Sequence, residues 1–272
     1  MIQLVFTDVD GTLVGSSGTV LPAIWTAAER VRAAGIRMAV CSGRPAFGDA
    51  RGYATRLEPE GWHVFQNGAS VVHLVDGRSL STPLPPASFA ALIARARATG
   101  RILELYTDSE YAVESTAPRA KEHARLLGVP FTPRPFESLE GTIVRAQWLV
   151  ALADEEEAVA DDTGDLERSA STSPVMPDTA FINMTAPAVD KASAVRTVAA
   201  EYGIPLADVM FVGDGNNDLT ALQSVGFPVA MANAESAVRA VAREIVGHVD
   251  DAGLARAFAL AIDSRARAAR ST

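Results

Sequence analysis

Short apolar runs that stop abruptly at turn residues constrain this chain more than any other feature. They cover residues 2–6, 36–41, 62–65 and 209–212. Such runs, rich in Val, Ile and Phe, suit buried strands and are too short for core helices. Helical stretches follow them. Residues 22–34 carry Pro22 in the first turn and Gly35 just past the end, the usual punctuation of a helix. Residues 191–202 read as another helix, and 227–231 as a further strand with helices after it. Strand–helix alternation of this kind implies βαβ units and a parallel sheet. Between the first strand and helix, Gly15-Ser16-Ser17-Gly18 reads as the tip of a small hairpin.

The alternation breaks at Pro83-Leu84-Pro85-Pro86 and resumes at Asp190. The intervening sequence predicts a helix over 87–98, paired strands over 102–106 and 111–114, and a helix over 118–127. A strand over 146–153, a helix through the acidic residues 154–167 and a strand over 180–184 complete it. Successive strands point to an antiparallel α+β unit. The expected organisation is an α/β core in two sequence halves, 1–83 and 187–272, with an α+β domain inserted at 84–186.

Composition removes several classes. Of 272 residues, 48% are hydrophobic and 21% charged, which excludes a chain too polar to bury a core. With Gly at 20 and Cys at 1, collagen-like and disulfide-stapled classes are excluded too. A net charge of −9 argues against a nucleic-acid partner. No stretch has the roughly 18 uncharged apolar residues of a membrane span. Residues 1–6 reach Asp8 too early for a secretory core and lack a basic lead. With the lone Cys41 this gives the expectation of a cytoplasmic protein.

Four loops carry candidate chemistry. Phe6-Thr7-Asp8-Val9-Asp10-Gly11-Thr12 puts two carboxylates at the end of the first strand, the edge where ligands bind in open parallel sheets. One could serve as nucleophile and the other as acid, or both could satisfy turn N–H groups. Val212-Gly213-Asp214-Gly215-Asn216-Asn217-Asp218 repeats the arrangement. Asp8 and Asp214 are able to share a hard cation such as Mg²⁺ if their strands are neighbours. Asp218 reads equally as a helix-start acid. Ser42-Gly43-Arg44 follows the second strand, either as an anion site or as a helix cap. Lys191 opens a helix at a similar junction and is either a surface lysine or a phosphate-facing one. Cys41 reads as a small buried residue.

In order and in residue type, these loops resemble the haloacid dehalogenase superfamily. Asp8-x-Asp10-Gly11-Thr12, Ser42, Lys191 and Gly213-Asp214-Gly215-Asn216-Asn217-Asp218 match its four motifs. The large insert, Asn67-Gly68-Ala69 before it, and Asn183 ahead of the lysine resemble the Cof-type subfamily (subclass IIB). Ala192 departs from the glycine that often follows the lysine. The resemblance implies a Rossmann-like parallel-sheet core with an inserted α+β cap domain. It implies a Mg²⁺-dependent phosphatase acting on small phosphorylated metabolites, above all sugar phosphates, through an aspartyl-phosphate. Asp8 would be the nucleophile and Asp10 the general acid and base. Asp8, Asp10 (through its carbonyl), Asp214 and Asp218 would form the metal site. Ser42, Gly43, Lys191 and Asn217 would hold the phosphoryl group, with Arg44 and Asn67 toward the substrate. In the insert, Tyr106, Tyr111, Lys121, His123, Arg134 and Arg145 have polar reach, but His123 is not expected to bind metal. A phosphomutase, a mannosyl-3-phosphoglycerate-type phosphatase and a non-enzymatic receiver-like phosphoacceptor are the alternatives.

Overall fold

The computed structural model describes residues 1–161, 164–173 and 175–269. In chain order its elements are β1 (Leu4–Thr7), α1 (Pro22–Ala33), β2 (Arg37–Val40), α2 (Gly48–Leu57), β3 (Trp62–Phe65), β4 (Ser70–His73), α3 (Pro86–Thr99), β5 (Ile102–Tyr106), β6 (Tyr111–Val113), α4 (Pro118–Leu127), β7 (Arg145–Ala151), α5 (Glu155–Ala160), β8 (Glu167–Ser173), β9 (Met176–Thr185), α6 (Lys191–Glu201), β10 (Val209–Gly213), α7 (Leu219–Ser224), β11 (Phe227–Ala230), α8 (Ser236–Val241), β12 (Glu244–Ile245) and α9 (Gly253–Ala269). The described residues form two compact units. One comprises residues 1–43, 52–80 and 190–272, the other 44–51 and 81–189.

In the first unit the described strands form a parallel sheet in the order β12-β11-β10-β1-β2. Leu4, Val5 and Phe6 are fully buried, as in a strand covered on both faces. Phe6 lies opposite Ala39 of β2 and Phe211 of β10, and stacks on Phe211 at 6.3 Å. From β1 the chain moves to β2 on one side, while β10 and its successors lie on the other. The strand order therefore reverses at β1, the position where ligand crevices open in such sheets.

Two expectations for this unit need correction. Residues 15–18 are a turn closed by Gly18 N–H donating to Gly15 O (3.1 Å), not the tip of a strand pair. Gly11, at φ +84°, has already reversed the chain, and Pro22 starts α1 before a second strand can form. Trp62–Phe65 is a strand, but outside the parallel sheet. It pairs antiparallel with β4 and meets the chain just past β2 at one isolated parallel bridge, Cys41 to Val64, where Ser42 N–H donates to Val64 O (3.0 Å). The cause is His63: its Nδ1 accepts the Val40 N–H (3.0 Å), a group that a regular ladder would use.

In the second unit the described strands form an antiparallel sheet, β6-β5-β7-β9-β8. Leu103, Leu105, Trp148, Val150 and Ile182 cluster with Leu92 and Ala96 of α3 and Ala158 of α5. The helix expected over 154–167 ends at Ala160, and Glu167–Ser173 is instead β8. Residues 162 and 163 of that expectation lie outside the described residues. The acidic residues 155–157 do occupy the first turn of α5, where the helix dipole favours them.

Candidate active site

The parallel register carries Asp8 and Asp214 to one edge of the sheet. Thr7 lies opposite Val212, and Asp8 N–H donates to Val212 O (2.9 Å), so the two loops leave side by side. Gly11 lets them approach closely, since any Cβ there would collide with the Asp214 carboxylate. Asp8, Asp214 and Asp218 each bring one oxygen to within 4.8 Å of the others.

Lys191 joins them. It is the first residue of α6, whose N-cap Asp190 forms a reciprocal capping box with Ser193. Its side chain is buried, and Nζ donates to Asp8 Oδ1 (2.7 Å) and Asp218 Oδ1 (2.6 Å). The surface-lysine alternative is thereby excluded. Asp218 is not a simple helix-start acid either. Its Oδ2 accepts the Asp214 and Gly215 N–H groups, both at 3.0 Å, so its carboxylate shapes the loop that presents Asp214.

Burial pushes the Asp8 carboxyl well above its ordinary range, with the attraction of Lys191 opposing. Burial likewise raises Asp214 to about 6, against the pull of its hydrogen bond from Thr12. Lys191 is pulled down by burial, but Asp218 and Asp8 outweigh this and hold the ammonium above its usual range. When ionised, the three carboxylates outnumber the one ammonium that Asp8 and Asp218 share, in a poorly solvated place. Hard oxygen donors so arranged fit a divalent cation such as Mg²⁺.

The Asp10 side chain is exposed and stands outside the three-carboxylate cluster. Ser42 is buried, and its backbone N–H donates to Val64 O (3.0 Å). It neither caps α2 nor offers that N–H to an anion, because α2 starts only at Gly48, after Pro45. Asn67 and Asn217 meet directly, Asn217 Nδ2 donating to Asn67 Oδ1 (3.1 Å), beside Gly43. Arg44 belongs to the second compact unit, not to the core as expected. Cys41 is buried, and burial raises its thiol far above the range of a reactive cysteine.

Two residues outside the expected set also shape the site. Thr12 Oγ1 donates to Asp214 Oδ1 (2.7 Å). Asn233 Nδ2 donates to Gly11 O (2.7 Å) while its Oδ1 accepts the Val249 N–H (3.0 Å). Thr12 stood inside a quoted motif. Asn233 had only its position just past a strand end to mark it.

In the second unit, Tyr106, His123 and Arg145 are buried rather than reaching outward. Tyr106 OH and His123 Nδ1 both contact Glu104 Oε2, and Arg145 lies over the Tyr106 ring at 4.1 Å. Tyr111 and Arg134 line a cavity of about 430 Å³ with Phe47 and Gly48. Among the described residues no helix is long and apolar enough to cross a membrane.

The chain is similar to known proteins along most of its length. The model of the haloacid dehalogenase-like hydrolase family matches residues 5–258. The 5-amino-6-(5-phospho-D-ribitylamino)uracil phosphatase YbjI of Escherichia coli K12 is 27% identical over 257 residues, 90% of this chain and 91% of that protein. A phosphoglycolate phosphatase of Methanopyrus kandleri is 28% identical over 256 residues, covering 94% and 95%. A solved sugar phosphatase of haloacid dehalogenase subclass IIB shares the fold, with a TM-score of 0.77 and 22% identity over 94% of this chain and 97% of that one. The chain belongs to the haloacid dehalogenase-like hydrolases. It is an enzyme of the phosphatase type, and the receiver-like reading falls away.

Proposed function

We propose that the chain hydrolyses small phosphate monoesters, sugar phosphates in particular, through a covalent phosphate on Asp8. The observation that carries this reading is the convergence of the Asp8, Asp214 and Asp218 carboxylates, two of which hold the buried Lys191. A carboxylate attacking a phosphate dianion meets strong repulsion, and preorganised positive charge offsets it. Lys191 supplies one such charge and fixes the Asp8 carboxylate. Asp8 and Asp214, together with the Asp10 carbonyl, would hold Mg²⁺, with Asp218 setting their loop. The cation, when bound, neutralises charge on the phosphoryl oxygens.

An Asp8 carboxylate oxygen attacks phosphorus and the ester P–O bond breaks. Asp10 protonates the departing oxygen. It then takes a proton from water as that water attacks the aspartyl-phosphate, releasing orthophosphate and restoring Asp8. The exposure of Asp10 fits a group that must meet both leaving group and water. Ser42, Gly43 and Asn217 would complete the phosphoryl site. The two relatives matched along most of their length are named for small phosphate monoesters, which supports the substrate class. A reducing, cytoplasmic setting suits a single buried thiol.

The test is orthophosphate release from p-nitrophenyl phosphate and a panel of phosphorylated sugars, with and without Mg²⁺. Turnover should require Mg²⁺, and Asp8→Asn should lower it by at least about 10³-fold, the scale of losing a catalytic nucleophile. Wild-type turnover by Asp8→Asn would refute the nucleophile. Phosphate passing to a second sugar hydroxyl instead of water would make the enzyme a mutase.

A further inference from the structure

The connection between β3 and β4 has unusual backbone. Gln66, Asn67 and Gly68 have successive φ values of 54°, 55° and 102°. Left-handed Asn-Gly is what a tight hairpin asks for. Gln66, fully buried, is not explained that way. Among the described residues the other non-glycine positions of this kind, Ala188 and Ala252, stand singly. Such conformations persist where the surroundings over-determine them, often beside functional sites.

Three contacts fix this connection, and each reaches a different loop of the site. Asn67 N–H donates to Ser42 O (3.0 Å). Asn67 Oδ1 accepts from Asn217 Nδ2 (3.1 Å). Gly68 lies so close to Asp190 O that a Cβ would collide with it, next to the start of the Lys191 helix. Gly43 clears the path of the Asn67 amide, which would stand 3.1 Å from a Cβ at that position. Few side chains satisfy these demands together. Glycine tolerates the backbone but has no acceptor, and most other residues tolerate the left-handed region poorly.

We infer that Asn67 is a positioning residue: it locks Asn217 against the Ser42–Gly43 loop, so that the phosphoryl-binding groups are set before substrate arrives. This rests on the assignment of those loops to phosphoryl binding made above, and it replaces the expectation that Asn67 reaches the substrate. Asn67 then acts through Asn217, which makes the idea testable by a double-mutant cycle.

The experiment uses Asn67→Gly, Asn217→Ala and the double variant in the full chain with saturating Mg²⁺. Asn67→Gly keeps the backbone conformation and deletes the acceptor. It should raise KM for p-nitrophenyl phosphate, and the calorimetric Kd for orthophosphate, by up to about tenfold, the scale of one lost hydrogen bond. The change in kcat should stay within about threefold, and Tm should hold. In the Asn217→Ala background, Asn67→Gly should add nothing. Multiplying effects, unchanged constants, or a binding loss that tracks a falling Tm would each overturn the inference. Wild type that binds orthophosphate without turnover defeats the proposed function alone, since the Kd measurements still decide on Asn67. Wild type that binds no orthophosphate defeats both.

Discussion

Lys191 has almost no exposed surface, although its sequence context reads equally well as a surface lysine. What decides its fate is non-local. β1 brings Asp8, the turn before α7 brings Asp218, and a buried ammonium is tolerated only between such partners. Asp8 and Asp214 were legible as candidates because apolar runs that end in carboxylates mark the sheet edge, whereas Lys191 was legible only as the start of a helix. Asn233 was not, because an asparagine in a loop has no local signature of what it will bond. The raised carboxyl groups give a prediction with a definite sign. Asp214 titrates near 6 in the metal-free fold and near 3.8 when unfolded. The folded state thus holds its proton more tightly, and this contribution to stability is lost as pH rises from about 4 through 6. Asp8 shifts in the same direction. A divalent cation needs both groups ionised, so it competes with those protons. The rise in Tm on adding Mg²⁺ should be small at about pH 5 and large at about pH 7.5. Differential scanning fluorimetry checks this, and an equal rise at both pH values would contradict it.

At the scale of elements, the apolar runs of β1, β2 and β10 were readable to within a residue or two, because strands buried on both faces show as continuous hydrophobicity. β8 carried no such mark. Glu167–Ser173 is exposed along nearly its whole length, and only pairing with β9 makes it a strand. β4 has no mark of its own either, because its pairing with β3 depends on a hairpin turn, whereas the surrounding alternation points to helical crossovers. Helix α6 lies within a residue of its expected bounds, and its start matters more than its length. Asp190 Oδ1 accepts the Ser193 N–H (2.7 Å), and Ser193 Oγ accepts the Asp190 N–H (3.1 Å). Asp190→Ala should cost about 1 kcal/mol of stability, the usual value of such a cap. Because Lys191 is the next residue, fraying of that turn should also lower kcat severalfold. Urea unfolding and steady-state kinetics on one preparation check both. A lost cap with undiminished kcat would show that the Asp8 and Asp218 carboxylates alone hold the lysine in place.

At the scale of the whole molecule, each compact unit carries its own apolar cluster. One gathers Leu4, Phe6, Val198, Val209 and Phe211, the other Leu103, Leu105, Trp148, Val150 and Ile182. The three-carboxylate cluster lies wholly within the first unit. With two cores and the carboxylate cluster in only one of them, stability is divisible, and a cation bound at that cluster would act directly on the first unit. Trp148 is fully buried in the second unit, and its indole N–H is unbonded. Trp148→Ala should therefore remove about 3–5 kcal/mol through the cavity it leaves. Trp148→Phe should cost much less, since it also removes a buried donor without a partner. Hydrogen exchange followed by mass spectrometry separates the units. In Trp148→Ala, amides of β5, β7 and β9 should lose protection, while β1 and β10 keep both theirs and its increase with Mg²⁺. If β1 and β10 lost protection to the same extent, the two cores would unfold as one cooperative body, and stability would not be divisible.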